Sequence, residues 1–320
     1  LSAASKDNTR DIEAQALQAL AEGKVEEEIE RVGNVDDAFA NAAITADATY
    51  STDFVSHAQL EPQGVLVSAA NDKVEVWTSS QTPVFITANL AKLLNVSPKK
   101  ITVHQVRGGG GFGRRLSNEY VFEAALISRK IGAPVKLQWT REDDMAFDYF
   151  RAPTYYRLQG AVAQDGQLTG WKNLLAAASA DGKKANYGAS YRPFDFPGKV
   201  IKNVSVEQSF VPSQTPTGAW RAPISNVYAF AEQSFIAELA HAAGQDHETF
   251  LLNAIGHQGH IQEDDPASLN TTRAHAVIKA ATRAAGWGRE LKEGRGLGLA
   301  FFLSHAGHIA EVAEVSVEGR

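Results

Sequence analysis

Apolar and polar positions follow two periods along this chain, and the switches between them mark out its elements. A helical period covers residues 9–21, with Ile12, Ala16, Leu17 and Leu20 on one face. The acidic run 26–30 reads as a solvated face. Residues 36–43 read as a short helix and 45–57 as a strand. Residues 63–70 and 73–79 alternate around Asn71-Asp72, a hairpin signal. Residues 83–94 are helical in period, with Pro83 suited to the first turn. A strand at 101–106 leads into a glycine-rich loop. Ser117 can then cap a helix to Ile131, with Tyr120, Ala124, Ile127 and Ile131 inward and Gly132 as its stop. A strand at 135–139 follows.

Residues 154–163 and 168–178 form a long hairpin around Asp165-Gly166. A polar, aromatic-rich loop without a period occupies 180–197, and 200–211 is a strand. After a turn punctuated by Pro212, Pro216 and Pro223 comes the longest helix, 224–243, with Tyr228, Ala231, Phe235 and Leu239 along one side and Gly244 as stop. Asp246 caps a helix to Ile255, 267–286 is helical in its second part, and 296–304 and 308–317 are strands. With no internal repeat, the sum is an α+β chain in which hairpins and helices are interleaved.

Composition narrows the function without naming it. The 320 residues are 44% hydrophobic and 21% charged, enough to bury a sizeable core. A formal net charge of −6 offers nucleic acid no electrostatic footing, and no apolar run is long enough to cross a bilayer. The absence of cysteine removes disulfides, thiolate zinc sites and cysteine-held iron–sulfur clusters from this chain. The chain opens on Leu1 rather than methionine, and the strand at 310–317 is about to turn where it stops. The expectation is therefore one piece of a larger polypeptide.

The chemistry concentrates in Arg107-Gly108-Gly109-Gly110-Gly111-Phe112-Gly113-Arg114-Arg115. Glycine lets the backbone take φ > 0 and press against another group, at a cost in conformational entropy that a bound anionic cofactor would offset. A strand, Gly108-x-Gly110-x-x-Gly113 and a helix satisfy a dinucleotide fingerprint in spelling. That fingerprint also needs an acid closing the following strand, whereas here Trp139-Thr140-Arg141 precede Glu142, and Phe112 stands where a pyrophosphate would pass. A nicotinamide dehydrogenase is thus the weaker reading. No Gly-Lys-Ser/Thr follows to make a P-loop, and a ligand-free tight turn remains the plain alternative.

Five stretches occur in a fixed order: His57-Ala58-Gln59-Leu60-Glu61-Pro62, Trp77 to Pro83 with Gln81, the GGGFG loop with its Arg-Arg ending, Pro134-Val135-Lys136-Leu137 through Arg141-Glu142-Asp143, and Gly218-Ala219-Trp220-Arg221-Ala222-Pro223. Together they resemble the molybdenum hydroxylases, the xanthine dehydrogenase and aldehyde oxidase superfamily, in the branch of isoquinoline 1-oxidoreductase β subunits and membrane-associated aldehyde dehydrogenases. The resemblance runs from about Val35 to Val317. It implies the first part of an elongated molybdopterin-binding domain, with mixed sheets and flanking helices. On it, residues 1–45 are the tail of a preceding domain or a linker, and 46–320 are the first half of the molybdopterin region, with a long hairpin and loop at 154–197.

The resemblance implies a catalytic large subunit that hydroxylates an aldehyde or N-heterocycle with water as the oxygen source. Its cofactor would be molybdenum–molybdopterin in the cytosine dinucleotide form. Gln81 and Arg221 take the catalytic places: Gln81 as an amide donor to an oxygen on the metal, Arg221 as a fork beside the cofactor and substrate. Gly110, Gly111, Phe112, Gly113, Arg114 and Ala222 take the cofactor-binding places, with Arg114 and Arg115 meeting either a pterin phosphate or an acidic neighbour. Trp220 and Phe150 stand by the pocket or in the core, His57 and Glu61 are structural, and no residue is a metal ligand. Leu116 occupies the position where purine-oxidising members carry an acid, which points to a less polar substrate. The family's glutamate base and its Gly-Gln-Gly segment have no match here, so the expected partners are the remaining half of the molybdopterin region, a [2Fe–2S] small subunit and a cytochrome c. A periplasmic location is the lean. A non-catalytic relative or scaffold of the same fold is the alternative.

Overall fold

The computed structural model describes residues 6–70, 72–191, 200–257, 259–262 and 264–318. In chain order its first elements are α1 (Thr9–Glu22), β1 (Glu27–Val32), α2 (Val35–Ala40), β2 (Ile44–Thr52), β3 (Gly64–Ser68), β4 (Val74–Thr78), α3 (Pro83–Leu94), β5 (Ile101–Gln105), α4 (Glu119–Ile131), β6 (Val135–Gln138) and α5 (Arg141–Ala146). They continue with β7 (Thr154–Val162), β8 (Leu168–Ser179), β9 (Asn203–Pro212), α6 (Ser225–Ala242), α7 (His247–Ile255), α8 (Thr271–Ala285), β10 (Arg295–Ser304) and β11 (Gly307–Ser316). The chain divides into two compact units. One comprises Leu1–Asp53, Pro153–Gln214 and Ile224–Arg320; the other comprises Phe54–Ala152 and Thr215–Pro223.

The first unit is built on a five-stranded sheet of order β1-β9-β8-β7-β2. The β7–β8 hairpin turns where expected: Gly166 sits at φ 80°, and the Asp165 carboxylate accepts the Gln167 N–H at 3.1 Å. β8 and β9 run parallel over ten register pairs, so the chain between them must cross over. That crossover includes the expected loop at 180–197, of which 192–197 lie outside the described residues. Alternate residues of β7 face opposite ways. A Cβ on Gly160 would strike Leu239 of α6, while Arg157 on the other side donates to the Leu20 carbonyl of α1 at 3.3 Å. The core between sheet and α6 holds Trp171, Tyr228, Ala231, Phe235 and Leu239, all nearly inaccessible, with Trp171 edge-on to Phe235 at 5.2 Å.

The acidic run at 26–30 belongs largely to β1, an exposed edge strand antiparallel to β9. Hydrated glutamates suit a sheet edge, which they protect from further pairing. In α1, Leu17 is exposed, and Ala19 joins Ile12, Ala16 and Leu20 on the buried face.

The second unit carries a four-stranded sheet of order β5-β4-β3-β6. β3 and β4 pair antiparallel as the hairpin signal implied, although Asn71 itself lies outside the described residues. β4, α3 and β5 make a parallel crossover. α3 and α4 cover one face, burying Val65, Val67, Val74, Val76, Ile86, Leu90, Tyr120, Val121, Ala124 and Ala125.

Two details of α4 differ from the periodic reading. A 3-10 turn at Arg114–Leu116 delays the helix, so Asn118 rather than Ser117 is its N-cap. The inward face differs too: Tyr120 and Ala124 are buried as expected, but Ile127 and Ile131 are exposed, and Val121, Ala125 and Ser128 are buried instead. Ser128 tolerates burial because its hydroxyl donates to the Ala133 carbonyl at 2.7 Å and accepts the Ala69 N–H at 2.9 Å. After the glycine loop and α4, β6 does not line up beside β5. It pairs antiparallel with β3 at the far edge, which is not the strand arrangement of a dinucleotide-binding unit.

Candidate cofactor site

All eight residues singled out from the sequence lie in the second unit. The glycine loop leaves β5 with Gly110 at φ 95°, Phe112 at φ 55° and Gly113 at φ 107°. Its glycines are required by close approach. A Cβ on Gly108 would come 2.5 Å from the Ser79 Cβ, one on Gly109 2.6 Å from the Glu61 Cβ, and one on Gly111 2.5 Å from Gln81 Oε1. On Gly113 it would overlap the Ala219 carbonyl.

Two buried or half-buried charges clamp the loop from behind. Glu61 Oε2 accepts the Gly109 N–H, and Arg115 donates from Nε to the Gly110 carbonyl at 2.8 Å and from Nη2 to the Glu61 carbonyl at 2.9 Å. Arg141 of α5 fixes the preceding segment through the carbonyls of Gln59 and Leu60, at 2.6 and 2.8 Å. The side chain of Gln59 in turn donates to Asp144 at 2.7 Å.

Gln81 is exposed and closes the front of the loop. Its Oε1 accepts the Gly113 N–H at 3.0 Å and its own N–H donates to the Arg115 carbonyl at 3.0 Å. Among the described residues its Nε2 donor has no protein partner, and neither do the successive N–H groups of Gly110, Gly111 and Phe112. Phe112 is 45% exposed, with its ring folded back over Gly110. A non-glycine residue held at positive φ with an uncovered ring is a strained arrangement of the kind that clusters at binding sites.

Arg114 faces the opposite way from its expected cofactor-binding place. It is 1% exposed, with Nε 3.1 Å from Asp148 Oδ1, an ion pair to Glu119, and the guanidinium stacked over Trp139 and Tyr149 at 5.5 and 5.1 Å. Glu119 and Asp148 are thus the acidic neighbours of Arg114. The reason is the 3-10 turn, which carries both arginines inward to satisfy carboxylates and carbonyls that the loop leaves behind it.

Arg221 and Ala222 are exposed on the turn Thr215–Pro223, with Ala222 at φ 53°. The turn is tied to Phe150 by main-chain bonds of 3.0 Å from Phe150 N to Pro216 O and from Gly218 N to Phe150 O. Trp220 Nε1 donates to the Ser56 carbonyl at 3.3 Å, and Arg151 lies over its ring at 5.5 Å. Phe150 packs edge-on to Phe54 at 6.3 Å. Both aromatics therefore anchor the turn. The Ala219 carbonyl accepts from His57 Nε2 at 3.0 Å while lying against Gly113, so the structure brings Gln81, the glycine loop and the Arg221 turn into one contiguous patch.

Behind that patch lies a charged residue the sequence reading did not single out. Asp148 receives Ser56 Oγ at 2.6 Å, the His57 N–H at 2.7 Å and His57 Nδ1 at 2.8 Å. Burial pushes its carboxyl up, but the hydrogen bonds from His57 and Ser56 outweigh that and hold it below the usual carboxylate range. One signal for this region was available. Thr140-Arg141-Glu142-Asp143 spells a capping box, and the structure forms it at the start of α5, the helix that ends just before Asp148. Among the described residues no cluster of three or more His, Asp or Glu could hold a metal ion.

Main-chain donors without protein partners, an exposed amide and an uncovered ring thus lie together over a glycine cradle. The chain belongs to the molybdopterin cofactor-binding domain family of the molybdenum hydroxylases, which matches residues 18–253. It is 30% identical over 289 residues to the membrane-bound aldehyde dehydrogenase (pyrroloquinoline-quinone) of Gluconacetobacter polyoxogenes, covering 83% of this chain and 37% of that protein. It is 28% identical over 319 residues to isoquinoline 1-oxidoreductase subunit beta of Brevundimonas diminuta, covering 95% and 38%. The chain thus spans little more than a third of the length of these relatives.

Solved structures agree on the fold. Quinoline 2-oxidoreductase of Pseudomonas putida 86 superposes with a TM-score of 0.64 at 18% identity, covering 90% of this chain and 40% of that one. CO dehydrogenase of Oligotropha carboxidovorans superposes with 0.63 at 20% identity, covering 85% and 38%. The α+β class with mixed sheets and flanking helices is that of the molybdopterin-binding domain.

Proposed function

We propose that this chain forms one wall of the molybdopterin pocket in the catalytic large subunit of an oxidoreductase that hydroxylates an aldehyde or N-heterocycle, with water as the oxygen source. The observation that carries this reading is the run of unpartnered N–H donors at Gly110, Gly111 and Phe112 beside the unpartnered Nε2 of Gln81. Four donors and no acidic side chain among them suit an oxygen-rich, anionic group. The residues present therefore fit molybdopterin.

When bound, that group supplies the two-electron oxidation and the oxygen transfer. Gln81 would donate from Nε2 to an oxygen of the group while Oε1 stays on Gly113. The loop amides would receive further oxygens, and Phe112 would exclude water from one side. Arg221, on the turn whose Ala219 carbonyl lies against Gly113, would orient substrate or cofactor with its planar fork. Arg114 would act from behind, by fixing Asp148. We assign the cytosine dinucleotide form to the cofactor. The partners in this reading are the remaining half of the molybdopterin region, which brings the base, a [2Fe–2S] small subunit and a cytochrome c, in a periplasmic setting. The boundaries 1–45 and 46–320 belong to the same proposal.

The test uses the full-length natural polypeptide. Metal analysis and pterin release are expected to give molybdenum and a cytosine dinucleotide, with oxidation of an aromatic aldehyde or N-heterocycle and no reduction of NAD. Because the Gluconacetobacter relative has pyrroloquinoline quinone in its name, quinone extraction is run alongside. A preparation carrying quinone but no molybdenum would overturn the cofactor. One carrying neither and oxidising nothing would leave a scaffold of the same fold.

A further inference from the structure

We infer that His57 is a positioning residue, a strut that holds the Arg221 turn against the glycine loop. Its catalytic consequence rests on the functional reading above; the strut itself rests on geometry alone. The Ala219 carbonyl has Gly113 on one side, so close that a Cβ there would overlap it, and His57 Nε2 on the other at 3.0 Å. Across the ring, Nδ1 meets Asp148 Oδ1 at 2.8 Å. Asp148 is itself immobilised by Ser56 Oγ at 2.6 Å, the Tyr149 N–H at 2.7 Å and Arg114 Nε at 3.1 Å, while Arg114 is held by Glu119 and the Phe147 carbonyl. The side chains of His57, Asp148 and Arg114 are fully shielded from water.

A carbonyl and a carboxylate can only accept, so the ring holds both contacts at once when both of its nitrogens donate. A flat ring with two opposed donors keeps a fixed distance between its partners, which a flexible amide cannot do. Arg221 follows Ala219 by two residues, and Ala222 at φ 53° leaves the chain little slack. The turn has other tethers upstream and at Trp220, namely Gly218 to Phe150 and Trp220 Nε1 to the Ser56 carbonyl. Losing His57 therefore frees the Ala219 carbonyl, while these tethers still hold Gly218 and the Trp220 side chain.

The experiment compares His57→Leu, His57→Gln, Arg221→Ala and the double variant His57→Leu/Arg221→Ala in the full-length protein. Hydrogen exchange in the peptide covering 215–223 is expected to speed up in His57→Leu and to be partly restored in His57→Gln, with or without cofactor. Turnover per bound molybdenum should fall roughly 10- to 100-fold in His57→Leu, the scale of a small misplacement of a positioned group. KM should move by less than about threefold, since a group acting through another changes kcat more than ground-state binding. In the Arg221→Ala background the same substitution should cost nothing further, because the two act as one unit. Unchanged exchange at 215–223 would overturn the strut; unchanged turnover per molybdenum in an active enzyme, or additive losses, would overturn its catalytic consequence. Should the wild-type protein bind no molybdenum and turn nothing over, the functional reading fails, and the exchange arm still decides whether His57 holds the turn.

Discussion

Substituting alanine at Gly113 and at Gly132 separates backbone strain from contact. Both glycines have positive φ, 107° and 69°, so alanine at either adopts a disfavoured backbone region. The left-handed region alone costs an L-residue about 1–2 kcal/mol. At Gly132, the C-cap of α4, the added methyl meets nothing within 4 Å, so that strain is the whole effect. At Gly113 the methyl would overlap the Ala219 carbonyl and come 3.2 Å from His57 Nε2. These are main-chain and buried groups that cannot swing away, and overpacking of that sort adds about 1–3 kcal/mol. Gly113→Ala should therefore cost about 2–5 kcal/mol against about 1–2 for Gly132→Ala. Urea unfolding reads the difference: with a slope of about 1–3 kcal/mol/M, the Gly113 midpoint should drop by roughly 1 M more than the Gly132 midpoint. Equal midpoints would refute the close approach of loop and turn, and with it the joining of Phe112 to the Arg221 turn.

Other outcomes follow from the same geometry. Because the folded-state pKa of Asp148 is depressed, its contribution to stability is complete above the ordinary carboxylate value of 3.8 and disappears as pH falls through the lower folded value; Asp148→Asn should flatten that acid limb in urea midpoints measured against pH, and an unchanged limb would assign it to other carboxylates. Arg114→Met leaves the buried Asp148 without its guanidinium and should destabilise by about 3–5 kcal/mol in thermal or urea unfolding, whereas a purely cofactor-facing arginine would leave the cofactor-free protein unaffected. Gln81→Ala removes the acceptor of Gly113 N–H and the exposed Nε2, and in the full-length enzyme should lower kcat by roughly 10²-fold or more, in the range found for single donors aimed at developing charge, while molybdenum content is retained. The isolated 320-residue chain supplied with molybdenum cofactor should show no turnover of aldehyde or N-heterocycle, and measurable turnover would place the base within it.

The elements themselves were largely legible in the chain, because period and punctuation are local. The β7–β8 hairpin is announced by Asp165-Gly166, α6 by its apolar side from Tyr228 to Leu239, and α3 by Pro83. The phase of α4 was not legible, since a 3-10 turn depends on where Arg114 and Arg115 find partners. Nor was the role of β1: an acidic run reads as solvated surface in either state, and only pairing with β9 makes it a strand. α5 was missed because six residues are too few to display a period, although its capping box is spelled out.

What the sequence by itself determined is the family, carried by the order of its motifs: the Gln81 segment, the glycine loop around Phe112 and the Arg221 turn. Those are matters of residue identity and order, which a linear chain carries in full. Only the tertiary structure decided which way the side chains of Phe112, Arg114 and Arg115 turn. It sends Phe112 outward and both Arg114 and Arg115 inward, places β6 on the far edge of the sheet, and sets Asp148 and His57 behind the Ala219 carbonyl. The physical reason is that a buried charge needs a partner and a crowded glycine needs a neighbour, and both are supplied by segments distant in the chain, such as Asp148 for Arg114 and Ala219 for Gly113.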